Sequence, residues 1–253
     1  MLASEYKNLT WIEVKEILQK QWLIIPVGAI EQHGPHLPLG VDTFLAYHIS
    51  WDIAQIINAV VTPTIEYGAR SLPNSGGGPT YPGTIHIQGN TLIDKYRQIV
   101  SGFIGAGAKR MLILNAHWEN EPFLIEAIEK CREDGLLEFS HILLLSWWSI
   151  IEAAEMEKIF GGFCGWHVEH AGQAETALML YYAPELVHLD KLVDYNEHIP
   201  AGIYQYPTPV SWVGNQGVLS STKHVTSEMG RQLAVLVRDK IVRLLGEDQK
   251  LNA

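Results

Sequence analysis

Two rhythms of apolar residues alternate along this chain. Continuous apolar runs at Trp22 to Val27, at Lys109 to Asn115 (KRMLILN) and at His141 to Ser146 (HILLLS) have the length and composition of strands buried on both faces. Ala59 to Ile65 reads as a further strand, although Pro63 inside it demotes that element toward an edge or an irregular end. Between these runs the apolar residues recur every three or four positions, the spacing of a helix face. That pattern predicts helices carrying Trp11, Val14, Ile17 and Leu18, over Thr43 to about Asn58, over Leu92 to Ile104, from about Pro122 to Asp134, from Ile150 to Phe160 and from about Gln173 to Tyr182. A final helix carries Val225, Met229, Leu233, Leu236, Ile241 and Leu244. Asn8 or Thr10, Asn90 or Thr91, and Ser220 or Ser221 are the candidate caps of the first, third and last of these. Strands alternating with helices in this way predict an α/β fold with a largely parallel sheet covered on both faces.

The gaps in the rhythm are as informative as the runs. Residues 66–89 are a long, glycine- and proline-rich passage without helical periodicity, and a loop of that length inside a compact domain is usually functional. Residues 186–217 hold scattered aromatics and three prolines and predict no long helix. At 253 residues the chain can form one domain, 1–253, and bury about three quarters of its unfolded surface. A formal net charge of -10 offers no basic footprint for nucleic acid. No apolar run is long enough for a membrane span, and the first twenty residues lack the features of a signal peptide, so a soluble cytoplasmic protein is expected. Two cysteines, Cys131 and Cys164, make no disulfide framework.

Chemistry-bearing residues collect just after the predicted strands. Glu31, His33, His36 and Asp42 follow the first; His117 and Glu119 follow KRMLILN; Trp166, His167, Glu169, His170 and Glu175 cluster around the start of the helix that begins near Gln173. In open α/β sheets the crevice beyond the carboxyl ends of the strands is where ligands bind. Imidazoles and carboxylates together suit zinc, manganese or another first-row ion, and the number of them favours two ions bridged by a carboxylate. Such a pair can generate a hydroxide and polarise the bond it attacks. No GxGxxG after a strand, no GxxxxGK[ST] loop, no HExxH and no GxSxG elbow occurs.

The segments EQHGPHLPLGVD, SGGGPTYPGT, NAHWEN and GWHVEHAGQAETALML, in this order and over roughly residues 9 to 246, resemble the creatininase (creatinine amidohydrolase) family. The resemblance implies a three-layer α/β/α sandwich, a homohexamer, and two divalent ions per subunit, zinc and/or manganese. It also implies that Glu31, Asp42 and His117 hold one ion and that His33, Asp42 and Glu119 hold the other, with His36 outside the ligand set. His170 matches the family's proton-transfer histidine, with Glu169 or Glu175 orienting it or the substrate. Ser75, Gly76 and Gly77 match the substrate-side loop, and Trp148 and Trp166 the aromatic lid.

Two departures bear on the substrate. Trp118 stands where creatininases carry Tyr, and His167 stands where they usually carry Asp; exchanging a carboxylate for an imidazole alters substrate discrimination. The expected reaction is creatinine plus water to creatine: a hydroxide attacks the ring carbonyl carbon and His170 delivers a proton to the departing ring nitrogen. Two alternatives remain open here. One is a related hydrolase of another small ring or formamide, such as an inosose-type ketone or a formylamino-pyrimidine. The other is a non-catalytic, metal-stabilised assembly protein.

Overall fold

The computed structural model describes residues 2–76, 78–195, 199–213 and 216–251. Five parallel strands, β1 (Ser4–Glu5), β2 (Trp22–Val27), β3 (Val60–Val61), β4 (Arg110–Asn115) and β5 (His141–Ser146), form one sheet in the order β1-β3-β2-β4-β5. Alternate residues of a strand point to opposite faces. Thus Trp22 and Ile24 of β2 join Leu112 and Leu114 of β4 in one core, while Leu23, Ile25 and Val27 join Met111 and Ile113 in the other. The first core is covered by α2 (Val41–Ile57), α5 (Ala153–Phe160), α6 (Gln173–Tyr182) and α7 (Ser227–Leu251). The second is covered by α1 (Trp11–Ile17), α3 (Gly89–Gly105) and α4 (Glu121–Glu133). This is the three-layer arrangement, and it explains why β2 is apolar at every position: all six of its residues are buried.

The expected elements are present with altered edges, each for a local reason. The strand expected over Ala59 to Ile65 is reduced to Val60–Val61, with Ile65 returning only as an isolated bridge to Val27. Pro26 of β2 has no N–H to give this strand, although its carbonyl accepts from Ile65 N at 3.0 Å, so pairing beyond Val61 is irregular. Thr10, one of the two proposed caps, closes a capping box with Glu13 at the start of α1. The caps proposed for the third helix are corrected: α3 begins at Gly89, one residue before Asn90. The cap proposed for the last helix is also corrected. α7 begins at Ser227, where the Thr226 hydroxyl accepts from Met229 N at 3.3 Å; Ser220 and Ser221 belong to a preceding loop, Ser221 donating to Asp194 at 2.8 Å. The two-residue edge strand β1 was too short to carry a periodic signal. No helix among the described residues is long and apolar enough to cross a membrane.

Candidate metal centre and substrate cavity

The metal-ligand candidates sit where the parallel strands end. β2 stops at Val27, and a Cβ on Gly28 would lie 2.6 Å from Thr43 N, so only glycine lets the strand end tuck against the start of α2. α2 begins two residues earlier than periodicity indicated, which takes Asp42 into its first turn, where the helix dipole favours a carboxylate. Glu31 N donates to Leu39 O at 2.9 Å and pinches the intervening loop at the base of that helix. His117 follows β4 and is locked by two asparagines. Asn115 Nδ2 donates to His117 O at 2.8 Å and Asn115 Oδ1 accepts from His117 N at 3.1 Å, while Asn120 bridges Gly28 O and Ala69 N.

Beside a set made of Glu31, His33 and His170, two further groups of donor atoms lie within the reach of a single ion: Glu31, Asp42 and His117, and His33, Asp42 and Glu175. Asp42 belongs to both. In the first, His117 Nδ1 lies 3.1 Å from Glu31 Oε2 and 3.0 Å from Asp42 Oδ2. In the second, His33 Nε2 lies 3.2 Å from Asp42 Oδ1 and 3.6 Å from Glu175 Oε2. Each ring donates its other N–H to a backbone carbonyl, His33 Nδ1 to Glu31 O at 3.1 Å and His117 Nε2 to Ala69 O at 3.3 Å. The remaining nitrogen of a neutral ring therefore points a lone pair at carboxylate oxygens. Such an arrangement is stable only with positive charge between the atoms, a bound cation or a proton on the ring.

Three buried atoms at this point, Glu31 Oε1, His33 Nε2 and Asp42 Oδ2, have no hydrogen-bond partner of acceptable geometry among the described residues. A buried unsatisfied polar atom is costly, and three converging on one spot call for an ion. The buried carboxylates also draw positive charge onto the rings beside them. Burial pushes the pKa values of His33 and His117 down, but the carboxylates around them win and hold both well above the ordinary histidine value. Burial pushes Glu31 and Asp42 up, and the histidines around them outweigh it, so both remain below the ordinary carboxylate value. The residues fit two divalent ions sharing Asp42.

The second group differs from the expected one. Glu175, in the first turn of α6, stands beside His33 and Asp42, and Glu119 does not. Glu119 is drawn to the far side of His117: its Oε1 accepts from Leu72 N at 3.0 Å and its Oε2 lies 3.4 Å from His117 Nε2. A carboxylate at the outer nitrogen of a metal-binding histidine is a recurrent way of fixing the ring. Burial raises the Glu119 carboxyl to about 7. Glu169 also lies at the cavity, but its Oε2 accepts from Ala174 N at 3.0 Å, so it braces the turn that opens α6; burial raises its carboxyl to about 8. His36 is fully buried against Thr176 Oγ1 at 2.9 Å, away from the ligand groups.

His170 lies at the edge of the cluster, its ring centroid 4.4 Å from that of His33. Its Nε2–H donates to Gln32 O at 2.9 Å and lies 3.8 Å from Glu31 Oε1. The Gln32 side chain ties this corner together: Nε2 donates to Gly76 O at 2.5 Å and to Gly217 O at 3.0 Å, and Oε1 accepts from Gly34 N at 2.9 Å. Gly76, at φ +82°, is pressed against the His170 ring, and a Cβ there would fall 2.0 Å from Cδ2. Gln32, Asn115, Asn120 and Thr176 were not singled out in the sequence. Their only signal was position, next to or between the ligands.

A cavity of about 130 Å³ opens above the cluster, walled by Ser75, Trp118, Trp148, Trp166, His167 and Glu175. Ser75 hydrogen-bonds to Glu119. Trp118 and Trp148 stack at 5.7 Å, and Trp147 meets both Trp148 and Trp166 edge-on. His167 faces the cavity with no hydrogen-bond partner among the described residues. Gly77, expected in the same wall, lies outside the described residues.

The family profile described as "Creatininase: Creatinine amidohydrolase" matches residues 7–245. The chain belongs to the creatininase family. The creatinine amidohydrolase of Pseudomonas putida is 37% identical over 233 residues, covering 88% of this chain and 88% of that one. The 3-dehydro-scyllo-inosose hydrolase of Thermotoga maritima is 28% identical, covering 84% of this chain and 69% of that protein. A solved mutant creatininase complexed with creatine superposes with a TM-score of 0.90 at 32% identity, over 96% of this chain and 98% of that one. With the dimetal cluster in place, this creatininase-family chain is a metal-dependent hydrolase.

Proposed function

We propose that the protein opens a small cyclic amide, with creatinine hydrolysed to creatine as the leading case. The observation that carries this reading is the sharing of Asp42 by two ligand groups directly beneath a small enclosed cavity. Its relatives include a creatinine amidohydrolase and a creatininase solved with creatine. In this reading Glu31, Asp42 and His117 hold one ion and His33, Asp42 and Glu175 the other, both zinc or manganese by donor chemistry. Glu119 orients His117, a change from the ligand role expected of it. Bound there, the two ions supply Lewis acidity and a water acidified toward neutral pH.

The protein's own groups do the rest. His170 stands within reach of the cluster and delivers a proton to the departing ring nitrogen. Glu169 holds the turn that carries His170, Ser75 forms part of the substrate side of the cavity, and Gly76 packs against the His170 ring. Trp148 and Trp166 exclude water from it. His167 and Trp118 favour a second reading, because both line the cavity where the family pattern has Asp and Tyr. In that reading the substrate is another small ring or formamide, of the inosose-ketone or formylamino-pyrimidine kind. We further infer one domain spanning residues 1–253, assembly as a homohexamer, and a cytoplasmic location. A monomer in light scattering would refute the assembly.

The test is turnover of metal-replete protein on creatinine, with creatine as the measured product, before chelation, after it, and after metal is restored. His170→Asn is expected to lower kcat by about 10²- to 10⁴-fold with metal content unchanged. Unaltered ring opening would remove His170 from the mechanism. Poor creatinine turnover beside fast turnover of a ring ketone or formylamino-pyrimidine would move the assignment to the second reading.

A further inference from the structure

Outside the metal cavity lies a second, wider chamber of about 920 Å³. Leu72, Trp118, Glu119, Trp148 and Trp166 line both spaces, so the two communicate past the stacked Trp118–Trp148 pair. Trp118 is 44% exposed at the junction of the two spaces and offers apolar surface to a ligand there. The opposite side is formed by Ile87 and Phe123, and Phe123 is seated against Gly89, where a Cβ would fall 2.6 Å from its Cε1.

Creatinine is a five-membered ring bearing one methyl group. The inner cavity is scaled to such a ring, and the outer chamber has the size of a pocket for a larger organic ligand. We infer that the outer chamber is a second substrate subsite, which receives a neutral, planar, apolar substituent of a cyclic amide whose ring occupies the inner cavity. This inference rests on the cyclic-amide reading above and names a substrate class within it.

Two features select this occupant. Anything in the chamber abuts the reacting ring, because the walls are shared, and a planar group there covers Trp118 and Phe123 by stacking and apolar burial. Of the charged groups in the lining, Glu121 Oε2 accepts from Ser146 Oγ at 2.6 Å, Glu119 Oε1 accepts from Leu72 N at 3.0 Å, and Arg70 Nε donates to His86 at 3.1 Å. The rest of the wall is mainly aromatic and aliphatic, which favours an apolar arm.

The test compares creatinine with its N-benzyl analogue, in which benzyl replaces the ring methyl and the reacting amide is untouched. With metal-replete enzyme the analogue is expected to show a kcat/KM about tenfold or more above that of creatinine, mainly through KM. Phe123→Ala should erase this preference. Because that change could also loosen α4, Asn90→Trp provides a second variant: Asn90 is an exposed residue of the chamber rim. Asn90→Trp is expected to raise KM for the benzyl analogue by about tenfold and to leave creatinine turnover unchanged.

A benzyl analogue used no better than creatinine overturns the inference and leaves the cyclic-amide reading intact; so does an Asn90→Trp variant that handles both alike. A chamber occupied by a second copy of the chain would give the first of these results. Binding is followed in parallel by tryptophan fluorescence. If neither compound is hydrolysed but the benzyl analogue binds about tenfold more tightly, the chamber stands and the cyclic-amide chemistry falls. If neither is hydrolysed and the analogue binds no more tightly, the inference falls as well.

Discussion

The floor and the walls of the cavity contrast in burial and in origin. Glu31, His33, Asp42 and His117 on the floor are at most 3% exposed and come from the ends of β2 and β4 and the first turn of α2. Trp118 in the wall is 44% exposed, and Tyr204, which also lines the cavity, is 57% exposed; both belong to connecting segments. The floor is held by regular backbone hydrogen bonding and by the Asn115 and Asn120 amides, so it presents its ligands in one geometry. The wall is made of loop segments that tolerate change. The metal-ligand candidates thus sit in the rigid part, and the residues that depart from the family pattern, Trp118 and His167, in the adaptable part.

That contrast can be broken most severely at Asp42. Asp42→Asn removes the anionic bridge between the two ligand groups, and metal analysis is expected to find both ions depleted and turnover lost. Retention of two ions with high activity would mean that Asp42 is not the bridge. The next largest effect is expected at Gln32, which stands between floor and wall. Gln32→Leu deletes the bonds to Gly76 O, Gly217 O and Gly34 N, and kcat should fall by about 10- to 100-fold, as for other residues that orient active-site groups. Metal content should be preserved, and an unchanged kcat would show that the clamp is incidental to His170.

Trp118→Tyr, the family's residue, is expected to change the ratio of kcat/KM between substrates by about tenfold while leaving metal content alone. An unaltered ratio would take the wall out of substrate choice. The smallest effect belongs far from both regions. Thr10→Ala opens the capping box of α1 and should cost about 1 kcal/mol in denaturant unfolding with kcat unchanged.

Much of the floor was legible in the chain because Glu31, His33, Asp42 and His117 follow strands that announce themselves by composition. These four could be named as donors, Glu175 was expected on the substrate side, and the order of strands and helices pointed to a parallel sheet whose ends gather them. The relative placement of Glu119 and Glu175 was less accessible. Glu119 sits two residues from His117 and belongs to the same motif, yet the 3-10 turn of Trp118–Asn120 carries its carboxylate to the outer side of the ring. Glu175 is distant in sequence and arrives only when α6 packs beside α2. Spacing along a chain does not report which side of a ring a carboxylate reaches.

Amino-acid order by itself determined the alternation of strands and helices, the crevice in which the chemistry lies, and the donor set that selects a first-row metal. Those depend on periodicity and on side-chain type, which are local. Only the tertiary structure brought Glu175 beside His33 and Asp42, tied Gln32 to Gly76 and Gly217 next to His170, and opened an aromatic chamber outside the metal cavity. Each of these joins residues more than forty positions apart, and such contacts are set by how helices and loops pack on the sheet.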